Sequence, residues 1–183
     1  AMIDPKLVDE SIQFVKKYHT IAPFTMTNQN GQTITEKDYE NNVYVADFFF
    51  TTCPSICPIM TKNMFSLQEK LKTKYPEVKL LSYSVTPEID TIEQLKRYAI
   101  ENKVDDKIWN LVTGDKKEIY TLARKSYLVV QNDGNGGPHD MIHTENFVLI
   151  DKESQIRGFY DGTKIDEINL LLDDLEILKN SYK

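Results

Sequence analysis

The chain has 183 residues, 40 % of them hydrophobic and 27 % charged, with seven glycines and seven prolines, which excludes long disorder, collagen-like repeats and a linker-dominated architecture. That length suits one domain built around a single layered core. A formal net charge of −6, without any run of lysine or arginine, argues against nucleic acid or an anionic lipid surface as the partner.

Residues 5–18 set Leu7, Ile12 and Val15 among polar neighbours, the pattern of a short amphipathic helix. Residues 1–20 are therefore expected to form an arm and residues 21–183 the domain. Phe24-Thr25-Met26-Thr27 and Gln32-Thr33-Ile34-Thr35 flank Asn28-Gln29-Asn30-Gly31, which predicts a β-hairpin. Residues 43–50 are a near-continuous β-branched and aromatic run, as in a strand buried on both faces of a parallel sheet. Met60, Met64, Leu67 and Leu71 then recur at helical spacing, and the helix ends before Pro76. Residues 78–85 predict the next strand, and Asp90 or Thr91 can cap a helix that turns Ile92, Leu95 and Ala99 inward. A third βα unit follows, from a strand at residues 109–112 to a helix with Asp115 and Glu118 in a capping-box-like start ahead of Ile119, Leu122 and Ala123. Residues 127–130 predict a short strand, and residues 131–138 a Gly-rich loop that leads to His139 and His143. Residues 147–150 and 156–160 straddle a polar turn as an antiparallel hairpin. Ile165, Ile168, Leu172, Leu175 and Leu178 mark a closing amphipathic helix. Alternating strands and helices in this order predict an α/β domain with a central mixed sheet flanked by helices and preceded by a hairpin.

The two cysteines, Cys53 and Cys57, are too few for a disulfide scaffold and stand where a buried strand gives way to a helix. At a helix N-terminus, unpaired N–H groups and the positive end of the dipole favour thiolate over thiol, so both sulfurs are expected to be reactive or ready for metal. An offset of four residues is about one helical turn, which brings both to one side, within reach of a disulfide or of a shared ion. Pro54 and Pro58 are tolerated in a first turn, where their missing N–H groups have no helical partner anyway. Two thiolates alone suit redox work or a two-sulfur metal site, whereas an added imidazole makes a soft Cys2His site suited to copper. Among three histidines, His143 directly precedes the strand expected before residue 150. His139 lies four residues earlier in the loop, and His19 belongs to the N-terminal segment. Met141 is a further soft candidate, whereas Met60 and Met64 have the spacing of helix core.

These residues resemble the Sco/SenC family of thioredoxin-fold copper chaperones of respiratory oxidases, over most of the chain from Ala22 onward. The matching pieces are Phe48-Phe49-Phe50-Thr51, the Cys-x3-Cys-Pro of residues 53–58, Pro87 with Asp90-Thr91, and His143 ahead of Phe147-Val148-Leu149-Ile150-Asp151. His143 follows Cys57 by 86 residues, within the interval of that pattern. The resemblance implies a thioredoxin-like fold, with Cys53, Cys57 and His143 as ligands of one copper ion, Cu(I) or Cu(II). The family usually carries Asp where this chain has Thr86, and often where it has Ile142.

Two functions follow as expectations. In the first, a copper chaperone delivers its ion to the binuclear copper site of cytochrome c oxidase subunit II or to another cuproprotein, helped by a mobile loop ahead of His143. In the second, a thiol-disulfide oxidoreductase cycles Cys53 and Cys57 as a redox pair to keep the cysteines of partner proteins reduced. A thiol peroxidase is disfavoured because no arginine lies near Cys53 in the sequence. No stretch approaches the roughly 18 consecutive apolar residues of a membrane span. The resemblance implies a bacterial cell-envelope setting with a membrane tether upstream of Ala1, and a monomer is expected.

Overall fold

The computed structural model describes residues 19–183, so the helix or arm expected over residues 5–18 lies outside the described residues. Strands β1 (Thr25–Asn28) and β2 (Thr33–Thr35) pair antiparallel as the expected hairpin. The Asn28 side chain accepts from the N–H groups of Asn30 and Gln32, and Gly31 supplies the positive φ of 75° that closes the turn. Strand β3 (Tyr44–Phe49) is buried at every position, and helix α1 (Ile56–Lys74) follows it. Met60, Met64, Leu67 and Leu71 of α1 have no exposed surface, as their spacing predicts.

Strand β4 (Lys79–Ser84) leads to helix α2 (Ile92–Glu101), where Thr91 is the cap and its hydroxyl accepts from Gln94 N–H. Strand β5 (Trp109–Thr113) leads to the short helix α3 (Lys116–Thr121), which is capped by Asp115 accepting from Glu118 N–H. Strands β6 (Asn146–Ile150) and β7 (Ile156–Asp161) form the second hairpin, and helix α4 (Ile165–Asn180) closes the chain. The predicted face of α4 shifts: Ile165 is 56 % exposed, Leu171 is fully buried and Leu172 only partly, and Asp174 turns inward to accept from the Tyr160 hydroxyl at 2.7 Å.

The seven strands make one mixed sheet in the order β2-β1-β5-β4-β3-β6-β7, parallel only among β3, β4 and β5. The period of two in β3 divides the core between the two faces. Val45 and Phe49 join α1, α2 and α4, while Tyr44, Ala46 and Phe48 join α3 and the N-terminal strands. Among the described residues, no helix is long and apolar enough to cross a membrane.

One expected element is absent. Residues 127–130 are not a strand: α3 runs on into a π-helical turn (Leu122–Ser126), and Leu128 then adopts a left-handed conformation with φ 57°. Tyr127 N–H bonds Leu122 O at 2.7 Å and Val129 N–H bonds Ala123 O at 3.0 Å. The Tyr127 phenol points inward to meet those of Tyr44 and Tyr83, at 3.0 and 2.8 Å. Satisfying three buried phenols against one another overrides the β propensity of the local sequence.

Candidate functional site

The parallel strands β3 and β4 deliver their C-terminal ends to one edge of the sheet, the usual position of a site in an α/β fold. Beyond β3 the chain turns through residues 50–55, with Cys53 N–H bonding Phe50 O at 3.3 Å, and α1 begins at Ile56. Cys57 is thus the second residue of the helix and Cys53 lies just before it, as predicted. Pro58 falls within the first turn and Pro54 precedes the helix. Both cysteines are free thiols, 8 % and 3 % exposed.

The two thiols are not equivalent. Burial works against ionising Cys53, but the N–H groups of Ser55 and Cys57, the Cys57 thiol and the Ser55 side chain outweigh it, so its thiol is held below the ordinary range. Burial pushes Cys57 up to about 12, reinforced by its hydrogen bond to Cys53, against which a Phe50 main-chain contact has little effect. Cys53 is therefore the sulfur disposed to be thiolate, with Cys57 as its hydrogen-bond donor.

The turn ahead of Cys53 is pinned from below. The fully buried Asp90 carboxylate accepts from Thr51 N–H at 3.2 Å and from the hydroxyls of Thr51, Ser84 and Thr86, the last two at 2.6 and 3.1 Å. Thr86, which stands where the family usually carries Asp, thus serves as a donor to Asp90. Deeper in the sheet, Asp47 is a carboxyl buried in the same layer as Cys57. It accepts from the Ser82 hydroxyl, which in turn accepts from Trp109 Nε1 at 3.0 Å. Nothing in the hydrophobic pattern marks Asp47 except its occurrence inside an apolar run.

His143 stands on the loop ahead of β6 with its side chain exposed, its ring 6.1 Å from that of Phe50 at an angle of 64°. Phe50 also contacts both cysteines through its main chain, so it adjoins the imidazole with its ring and the thiols with its backbone. The structure brings Cys53 and Cys57 together. His143 meets the ring of Phe50, and among the described residues no three His, Cys, Asp or Glu side chains converge as a ligand group. His139 is exposed on the preceding loop, and His19 Nε2 is 2.7 Å from Ser126 O. Met141 is partly exposed, with its sulfur 3.6 Å from the Tyr120 hydroxyl. Ile142 is 1 % exposed and packs in the second core cluster, an environment that suits an apolar residue where the family often carries Asp.

Comparison with known proteins agrees with this architecture. The family model described as SCO1/SenC matches residues 13–178. A SCO1 protein homolog of Bacillus subtilis is 32 % identical over 159 residues, 86 % of this chain and 82 % of that protein. A SCO1/SenC family lipoprotein from Bacillus anthracis superposes with a TM-score of 0.77 at 32 % identity, covering 88 % of this chain and 95 % of that one. BsSco, described as a member of the Sco family of cytochrome c oxidase assembly proteins and as having a disulfide switch, superposes at 0.74 with 31 % identity over 86 % and 92 %. ScoI of Arabidopsis thaliana, solved with copper bound, superposes at 0.69 with 26 % identity over 88 % and 98 %. With a thioredoxin-like sheet, a Cys-x3-Cys-Pro turn at its edge and a family match over most of its length, this chain belongs to the SCO1/SenC family.

Proposed function

We propose that this protein is a copper metallochaperone in which Cys53, Cys57 and His143 hold one copper ion for transfer to a recipient cuproprotein. The observation that carries the reading is the hydrogen-bonded thiol pair at the start of α1, with the exposed His143 on the adjoining side of Phe50. Two sulfurs and an imidazole form a soft donor set suited to copper, and the copper-bound ScoI of Arabidopsis thaliana supports the choice of metal. Copper takes both sulfurs as thiolates, so uptake displaces the proton of Cys57 and any proton that Cys53 still carries. Because His143 belongs to a different element from the cysteines, it can leave first while both sulfurs keep the ion, which opens a position for a ligand of the recipient. The recipient we infer is the binuclear copper site of cytochrome c oxidase subunit II, supported by the description of BsSco as an oxidase assembly protein. The setting that fits this role is the cell envelope, supported by the likeness to a Bacillus lipoprotein.

The inequality of the two thiols favours a second reading, a thiol-disulfide reductase. Cys53 thiolate attacks a partner disulfide and forms a mixed disulfide while one partner sulfur leaves as thiolate. Cys57, once deprotonated, attacks Cys53 Sγ, so the partner gains two electrons and becomes a dithiol while Cys53 and Cys57 become a disulfide. An external dithiol must then reduce the pair. An anaerobic copper titration of the reduced protein against a competing chelator separates the readings, with His143→Ala and a Cys53→Ser, Cys57→Ser variant in parallel. One-to-one binding that weakens in both variants is expected. Absence of specific binding, with a measurable dithiol-disulfide potential, would overturn the chaperone reading in favour of the reductase.

A further inference from the structure

Glycines at positions 134, 136 and 137 suggest a loop left free to move ahead of His143, yet the structure latches it. Arg124, in the π-helical turn, donates from Nη1 to Asp140 Oδ2 at 2.5 Å and from Nη2 to Oδ1 at 2.8 Å. Its Nε donates to Asn132 O at 2.9 Å. Gly136 N–H adds a bond to Asp140 Oδ2 at 2.8 Å, and Asp140 N–H bonds Gly137 O at 3.0 Å. Both charged side chains keep only 10 % of their exposure, so this is a largely desolvated, bidentate pair rather than a solvated surface contact. Gly134 lies where a Cβ would run into the ion pair itself. Gly136, at φ 69°, lies where a Cβ would come within 2.9 Å of Lys117 Cα. These two glycines allow close approach, which is the opposite of slack.

The anchoring continues toward the site. Arg124 lies over the Tyr120 ring at 5.7 Å, the Tyr120 hydroxyl donates to Val85 O at 2.6 Å, and the main chain of Ile142 meets the same phenol. With the Ile142 side chain in the core, His143 is the first exposed residue beyond these anchors. Asp140 therefore fixes one end of a three-residue step to the imidazole.

We propose that Arg124 and Asp140 are positioning residues for His143: their ion pair latches the base of its loop and holds the imidazole beside Phe50, ready to complete the copper site. The inference rests on the reading of His143 as a copper ligand. Fixing the loop in advance lowers the ordering cost of bringing His143 to the ion, so loss of the latch weakens binding without touching a ligand.

The test combines a metal-free and a metal-bound measurement on the whole chain. In the metal-free protein, Asp140→Asn and Arg124→Lys are expected to move the His143 ring resonances away from the position set by the Phe50 ring, while the remaining spectrum keeps its native dispersion. Arg124→Lys retains the positive charge but loses the fork, and so serves as the second variant should Asp140→Asn fold poorly. In a copper(I) competition, Asp140→Asn is expected to weaken affinity about tenfold in the His143 background and to have no effect in a His143→Ala background. Unchanged His143 resonances in both variants would overturn the positioning role, as would equal weakening in both backgrounds. If His143→Ala binds copper as tightly as the unaltered protein, the copper reading of His143 fails, and the metal-free spectra still decide whether the latch positions the ring.

Discussion

At the scale of single residues, the chemistry turns on which buried groups are neutral and which are charged. Cys53 is favoured as thiolate because main-chain N–H groups converge on it, whereas Cys57, the second residue of the helix, is buried and donates to Cys53. Asp47 is the complementary case. Burial raises its carboxyl to about 7, with the Ser82 hydroxyl pulling the other way. In the unfolded chain the group titrates near 3.8, so between that pH and about 7 the folded state keeps a proton that the unfolded state has released. Its contribution to stability is therefore full below about pH 4 and falls by roughly 1.4 kcal/mol per pH unit up to about pH 7, then levels off. Urea denaturation across pH 4–8 is expected to show this slope as the difference between the native protein and Asp47→Asn, and parallel curves would refute it. The placing of Cys53 and Cys57 at a strand-to-helix junction was readable from spacing, whereas His143 was singled out among three histidines only with the family resemblance. The inequality of the thiols was not readable, because it depends on which N–H groups point at which sulfur once α1 begins at Ile56.

At the scale of elements, amphipathic periodicity located α1, α2 and α4, and the residues at Thr91 and Asp115 marked two helix starts correctly. The failure at residues 127–130 has a local cause. Tyr127, Leu128, Val129 and Val130 are good strand formers, but Tyr127 is committed to a buried phenol cluster, and the chain reverses at Leu128 to satisfy the Ala123 carbonyl. Leucine in the left-handed region costs about 1–2 kcal/mol and is 40 % exposed here, so little packing offsets that cost. Leu128→Gly is expected to stabilise the protein by up to about 1 kcal/mol after the greater entropy of an unfolded glycine is deducted, and Leu128→Val to destabilise it. The urea midpoints of the two variants check both signs. Arg124 and Asp140 were equally invisible in the sequence, since a residue in a helical turn and one in a loop 16 positions later carry no periodic signal.

At the scale of the whole molecule, one mixed sheet joins two hydrophobic clusters, and residues of β3, β4 and β5 contribute to both. Neither cluster can be lost without exposing the backs of the same strands, so the described domain is expected to unfold as one cooperative unit. Trp109, the single tryptophan, is 1 % exposed, and its Nε1 donates to Ser82. Its fluorescence change in urea is therefore expected to coincide with the far-ultraviolet circular dichroism change, and separated transitions would show that one face of the sheet melts first. Hydrophobic period, capping residues and local spacing are written along the chain, and they were enough for the α/β class, the hairpins and the cysteine pair at a strand-to-helix junction. Which thiol is the more acidic, the burial of Asp47 in the same layer as Cys57, the contact of the Phe50 ring with His143 and the ion pair that holds a Gly-rich loop emerge only in the folded structure. Those outcomes depend on distances and desolvation between residues far apart in the chain, and they exist only once the sheet has formed.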